Sequence, residues 1–339
     1  MDCELTATRP VTILAMRKLL SALAVLLLPL VVHADPLVHT FSIVARDQAT
    51  GEMGVAVQSH WFSVGSIVTW AEAGVGAIAT QSFVDPGYGV RGLELMRRGV
   101  AAPDALDQLV KGDAQRDGRQ VAMIDAAGRV SAYTGKTAIA AAGHVVGQNF
   151  SAQANLMAND RVWPAMAKAF ETTKGDLADR MLAALEAAQS VGGDIRGRQS
   201  AAILIVKGKS SGRPWVGADR VFDLRVDDAP EPIVELKRLI RLQRAYGHAN
   251  HGDELMTEKK VEEALEEYKA AAKLAPEILE LPFWHAVTLA SIGREAEAAP
   301  IFKAVFAKEP VWADLVPRLP AAGLFPNDRA LIERIQKLR

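Results

Sequence analysis

Cysteine is all but missing from this chain. The only one, Cys3, precedes the expected leader cut described below, so the processed chain has no thiol for a disulfide, a nucleophile or a thiolate metal site. Aromatic residues make up only 6% of the sequence, too few for a platform that stacks nucleobases. Charge of one sign is missing as well: 39 basic side chains face 40 acidic ones, with no basic tract, which argues against nucleic acid as a partner. There is no HExxH pattern, and His248, His251 and Asp253 lack a further clustered ligand. No glycine-rich turn has Walker or Rossmann spacing, so neither a metal nor a nucleotide cofactor is expected.

What is present suffices for more than one domain, since half of the 339 residues are apolar. Arg17-Lys18, the apolar run Leu19 to Val32 and the small Ala34 read as a secretory signal peptide over 1–34. Interrupted by Pro29, that run is too short for a stable membrane anchor. Export to a Gram-negative periplasm is the expected destination.

From His39 onward the pattern becomes strand-like. Phe41 to Ala45 is β-branched and apolar, Gln48-Ala49-Thr50-Gly51 supplies a tight turn, and Gly54 to Gln58 returns. Ile67 to Thr80 holds a third strand and a fourth. Helices follow at about Val90 to Gly99 and from Pro103, then a hairpin from Gln120 to Tyr133. Ala140 to Leu156 reads as one strand with flanking loops. Asp160 and Asp176 are placed to cap two further helices, and Ser200 to Val206 and Val221 to Val226 are strands. Strands, two helices, strands, two helices, strands is the order that stacks two sheets between helical layers. After the break at Asp227 to Pro232, an amphipathic helix runs from Ile233 to Tyr246, with Val234, Leu236, Leu239, Ile240 and Leu242 apolar.

The runs Thr40 to Asp47, Gly54 to His60, Val64 to Ser66, Ala73 to Gln81 and Gly197 to Ala202 resemble an uncharacterised bacterial family, the ten-twenty-eight domain of unknown function. It is usually placed with the N-terminal-nucleophile (Ntn) hydrolases. The resemblance implies an α+β fold, a four-layer αββα sandwich over 35–246, and amide-bond hydrolysis. Beyond Tyr246 the texture changes. Ala264 recurs at Ala298, Tyr268 at Phe302 and Pro276 at Pro310, each 34 residues on. That resembles the tetratricopeptide pattern, and implies a small all-α domain over 247–339.

In an Ntn enzyme, an N-terminal Thr, Ser or Cys attacks with its side chain while its own α-amine serves as base. Thr40 stands where that nucleophile belongs, with Ser42 a weaker candidate on the same face. Here the sequence departs from the family: Asp35-Pro36-Leu37-Val38-His39 precede Thr40 after signal cleavage. Either the His39–Thr40 bond is cut, or the amine stays blocked. Ser59 and His60 follow the second strand, where polar helpers are expected. The aspartate and lysine of proteasome-like relatives are not matched, Gln58 and Trp70 standing nearby instead. Asn155 is a candidate oxyanion donor. Arg91, Arg198 and Gln81 are candidate substrate contacts, the arginines for a carboxylate. Two functions are compatible with this pattern. One is an exported Ntn-type amidohydrolase acting on a small amide or peptide-like substrate. The other is a catalytically idle Ntn fold that binds a protein partner through its helical repeats, with a homo-oligomer left open.

Overall fold

In the computed structural model, residues 37–38, 40–213 and 217–339 are described. The signal peptide expected over 1–34, Cys3 and His39 lie outside the described residues. The chain runs through β1 (Leu37–Val38), β2 (Thr40–Arg46), β3 (Met53–Ser59), α1 (Gly65–Val68), β4 (Thr69–Glu72) and β5 (Gly76–Phe83). Next come α2 (Gly87–Arg97), α3 (Ala102–Gly112), β6 (Arg119–Asp125), β7 (Val130–Thr134), β8 (Gly143–Gly147) and β9 (Phe150–Ala154). They are followed by α4 (Val162–Thr172), α5 (Leu177–Ser190), β10 (Ser200–Val206) and β11 (Arg220–Val226). Helices complete it: α6 (Pro232–Thr257), α7 (Val261–Leu274), α8 (Glu280–Ser291), α9 (Glu295–Lys308), α10 (Val311–Leu315) and α11 (Arg329–Gln336). The α+β class and the helical C-terminal part expected from the sequence are both present.

Two antiparallel sheets carry the first part. One has the order β11-β10-β3-β2-β9-β8; in the other β1 and β4 both pair with β5, which continues to β6 and β7. Successive side chains on a strand point to opposite faces, and the cores divide accordingly. Val44, Val55, Val57, Ala77, Ala79, Ala122 and Ile124 pack between the sheets. Phe41, Ile43, Ala45 and Ala56, on the opposite face of the larger sheet, meet α4, α5 and the start of α6. Ile78, Val121 and Met123, on the far face of the smaller sheet, meet α2 and α3. The layers therefore run helices, sheet, sheet, helices.

The β2–β3 turn forms where expected, with Gly51 at φ +76°, a left-handed geometry open to glycine at little cost. Its first residue is held by Asp47, whose Oδ1 accepts from the Ala49 and Thr50 N–H groups at 2.9 Å. Close packing explains two other glycines. A Cβ on Gly89 would lie 2.2 Å from the Trp70 ring, and one on Gly92 2.5 Å from Ile78, so α2 lies tight against its sheet.

Several expectations are corrected. The stretch Ile67 to Thr80 does hold two strands, β4 and the start of β5, but its first two residues end the short helix α1. Residues 140–156 form the β8–β9 hairpin, not one strand, because Asn149 takes a left-handed φ of +64° and turns the chain. Asp160 does not cap α4: the cap position is Arg161, and Asn159 Oδ1 accepts its N–H at 3.0 Å. Asp176 does cap α5, accepting from the Asp179 N–H at 2.9 Å. Val90 and Val234, expected on apolar stripes, are exposed.

The largest difference concerns α6. The boundary expected between Tyr246 and Gly247 falls inside one continuous helix of 26 residues. Its first half sends Ile233, Leu236 and Ile240 into the sandwich core, and Ala245 and Leu255 lie in the cores of the helical part. Arg244 fastens it further, donating to Asp176 at 2.6 Å and to Asp179 at 2.9 Å at the head of α5. Residues 37–339 accordingly form one compact unit. Within the helical part, α7 and α9 share boundaries exactly one 34-residue step apart (261 to 295 and 274 to 308), with Ala264, Tyr268, Ala298 and Phe302 all buried. Among the described residues, no helix is long and apolar enough to cross a membrane.

Candidate functional site

Strand register builds the candidate site. Thr40 lies opposite Ser59, and Ser59 opposite Ser200, so three hydroxyl residues stand side by side on β2, β3 and β10. All three are fully buried. Thr40 and Ser42 share the face of Val44, which looks into the space between the sheets. Across that space Gln81 on β5 pairs in register with Gln120 on β6, on the face of Ala79 and Ala122. One end of the inter-sheet layer is therefore polar and the other apolar.

The polar end is wired head to tail. Ser151 donates to Gln153 Oε1 (2.9 Å), Gln153 Nε2 to the Ser42 hydroxyl (2.7 Å), and Ser42 to Gln81 Oε1 (2.6 Å). Gln81 Nε2 donates to Gln120 Oε1 (2.7 Å), and Gln120 Nε2 to the Thr134 hydroxyl (2.9 Å), which lies 2.8 Å from His144 Nδ1. Thr134 thus accepts from Gln120 and meets the imidazole at Nδ1. Every side chain in this path is neutral. Burial lowers the pKa of His144 from its ordinary value, which favours the neutral imidazole at the end of the path.

Two amides converge on the main chain of Thr40. Its carbonyl oxygen accepts from Gln81 Nε2 at 3.2 Å, from Asn155 Nδ2 at 3.4 Å and from the Asn155 backbone N–H at 3.1 Å. Asn155 Nδ2 also donates to Gln120 Oε1 at 2.9 Å. Asn155, expected to donate to an oxyanion, thus holds the peptide that follows Thr40 in place. Upstream of Thr40 the chain changes sheets: Leu37 and Val38 pair with Phe83 and Ser82 of β5.

The other expected residues are distributed around this centre. Ser59 lies beside Thr40. His60 is exposed, its backbone N–H donating to Asp194 Oδ2 at 3.2 Å and its Nδ1 3.3 Å from the Arg198 carbonyl. Arg198 itself pairs with Glu231. Arg91 bonds Asp85 at 2.9 Å and the Gly87 carbonyl at 3.1 Å. Thr40, Ser59, Gln81 and Asn155 are brought together; His60 and Arg198 form a neighbouring pair, and Arg91 is engaged on α2.

Besides Ser151 and Gln153, four residues went unread as members of the site. Gln120, Thr134 and His144 complete the relay, and Asp194, its carboxylate fully buried, organises the His60 loop together with Arg196 at 2.7 Å. A polar residue on the inward face of an apolar strand, as at Gln120, was the available signal. Among the described residues, no group of three or more His, Cys, Asp or Glu side chains could hold a metal ion. His248 and His251 instead flank Glu267, at 2.5 and 3.5 Å.

Comparison with known proteins places this arrangement in a family. Among curated proteins none matches the chain. A solved structure, the crystal structure of protein SPO2555 from Silicibacter pomeroyi, is similar to it. The two are 30% identical, with a TM-score of 0.54 over 59% of this chain and 84% of that one. That protein is described as a member of DUF1028. The same family matches residues 40–236 here, from the first residue of β2 to the opening turn of α6, and so takes in both sheets except β1, with the whole polar cluster. By that match the chain belongs to the family of unknown function DUF1028.

Proposed function

We propose that this protein is an exported Ntn-type amidohydrolase whose nucleophile is Thr40, released by removal of the residues before it. One observation carries this reading. Thr40 opens β2, the family match begins at the same residue, and the two residues at 37–38 are paired on the opposite sheet. Cutting the His39–Thr40 bond would free an α-amine at the edge of the inter-sheet space, beside Ser59 and the converging amides. An α-amine titrates near neutrality. It can take the Thr40 hydroxyl proton as the oxygen attacks a substrate carbonyl, and return it to the departing amine. Water then hydrolyses the ester. The neutral, preorganised amide cluster suits a reaction in which charge develops transiently. The substrate class is a small amide or peptide-like molecule, and the compartment the periplasm.

A second reading rests on a different observation. With the preceding residues attached, Thr40 is fully buried, and the 34-residue repetition of α7 in α9 fits tetratricopeptide-like hairpins, which bind partners. In that case the sandwich is catalytically idle and the helices do the work.

The N-terminal sequence and intact mass of the exported protein separate the two. A chain that starts at Thr40, with Thr40→Ala starting at Asp35 instead, is the result expected of a self-processed hydrolase. Retention of residues 35–39 in the unaltered protein overturns the threonine mechanism.

A further inference from the structure

Far along α6 from the sandwich, the helical part encloses a cavity of about 420 Å³ between α6, α7 and α8. That volume suits a small molecule. Its chemistry is one-sided. The charged groups lining it are Asp253 and Glu280, and the aromatic ones Tyr246, Tyr268 and Trp284. The aromatics orient the carboxylates. Tyr268 donates its hydroxyl to Asp253 Oδ1 at 2.6 Å. Glu280 accepts from the Tyr246 hydroxyl at 3.1 Å and from Trp284 Nε1 at 3.3 Å. Neither carboxylate is in an ion pair among the described residues, whereas Glu277, Glu262 and Glu295 of the same helical part are each paired with an arginine.

Two oriented, unneutralised carboxylates on aromatic walls make a receptor for an organic cation: the ring faces attract the charge and its adjoining methylenes, and the oxygens accept its N–H groups. The spacing narrows the class. Tyr246, which holds Glu280, and Asp253 are seven residues apart on α6, so the two backbone positions that present the anionic groups are about 10 Å apart along the helix. We propose that this cavity binds a linear aliphatic polyamine, with one terminal ammonium at Asp253, the other at Glu280, and the methylene chain against Trp284. The proposal is independent of the Thr40 reading.

The test is titration calorimetry of the exported full chain with spermidine, with butylamine as a monoamine of similar stem chemistry. The expected result is saturable one-to-one binding of spermidine, at least about tenfold tighter than butylamine. Asp253→Asn and Glu280→Gln keep the acceptors used by Tyr268, Tyr246 and Trp284, and each should weaken spermidine about tenfold. Glu277→Gln, whose carboxylate pairs with Arg241 elsewhere, should leave binding unchanged. No saturable heat with spermidine at millimolar concentration overturns the proposal. Equal affinity for butylamine does the same, as does a lysine-rich peptide that binds where spermidine does not. The comparison of the two amines on the unaltered protein needs no variant to fold.

Discussion

Gln120 is the joint through which the two sheets are tied, and its replacement by leucine has a calculable cost. The side chain is fully buried and makes five hydrogen bonds. Oε1 accepts from Gln81 at 2.7 Å and Asn155 at 2.9 Å; Nε2 reaches the Thr134 hydroxyl and the Ala154 carbonyl at 2.9 Å and the Gly143 carbonyl at 3.2 Å. Leucine roughly keeps the volume and removes them all. Nε2 shares two protons among three acceptors, so the set amounts to about four full bonds and, at about 1 kcal/mol net each, about 4 kcal/mol. Gln81, Asn155 and Thr134 keep a second partner, which reduces the loss to about 3 kcal/mol, at the upper end for one substitution. Urea unfolding should show a lowered midpoint with an unchanged slope. Gln120→Glu adds a second arm. Its carboxylate can still accept from Gln81 and Asn155, but its other oxygen faces the Ala154 and Gly143 carbonyls. Burial and those carbonyls would raise the folded-state pKa above the unfolded value near 4.3. The folded state then binds the extra proton first, so this variant should regain stability as pH falls through the raised pKa toward the unfolded one. A Gln120→Leu loss below about 1 kcal/mol would refute the idea that this network holds the sheets together.

Other outcomes follow from the same geometry. Gly89→Ala should cost about 2 kcal/mol, because the added Cβ would lie 2.2 Å from the Trp70 ring and α2 must move outward; thermal melting that matches the unaltered protein would contradict that packing. Burial lowers the pKa of His144, and burial followed by the Lys269 and Arg294 charges lowers that of His285. The unfolded chain takes up these protons near pH 6.5, while the folded chain does so only at lower pH. Stability is therefore fully present above about 6.5, falls as pH drops through the window down to the folded values, and then levels off. His144→Gln and His285→Phe should each flatten part of that slope in melting temperature. An unchanged slope in both would sink the assignment.

How far the sequence could be read depended on whether the signal was local. The β2–β3 hairpin was legible because β-branched runs flank a glycine turn, and the α5 cap because Asp176 precedes a polar-apolar period. The β8–β9 hairpin was not, since its turn depends on Asn149 in a left-handed conformation without the Asn-Gly pair that usually announces one. The same division holds at the site. Thr40, Ser59, Gln81 and Asn155 lie at strand ends where polar residues stand out. That Gln120 belongs with them follows only from two sheets meeting face to face, a relation no window of sequence contains. The change of texture beyond Tyr246 suggested a boundary there; the glycine that follows, Gly247, costs only about 1 kcal/mol inside a helix, and the burial of Ala245 and Leu255 on either side outweighs it.

That uninterrupted helix has a thermodynamic consequence. At 26 residues α6 is a rod of about 39 Å with no tether in it, so joining the two cores incurs no loop-closure entropy. Heat or denaturant that melts this helix would withdraw Ile233, Leu236 and Ile240 from the sandwich core and Ala245 and Leu255 from the helical ones, so the two parts should lose structure in one transition. Any molecule held by the helices would then raise the melting temperature of the sheets as well, by an amount that grows as the logarithm of one plus its free concentration over Kd, across a distance over which it touches nothing.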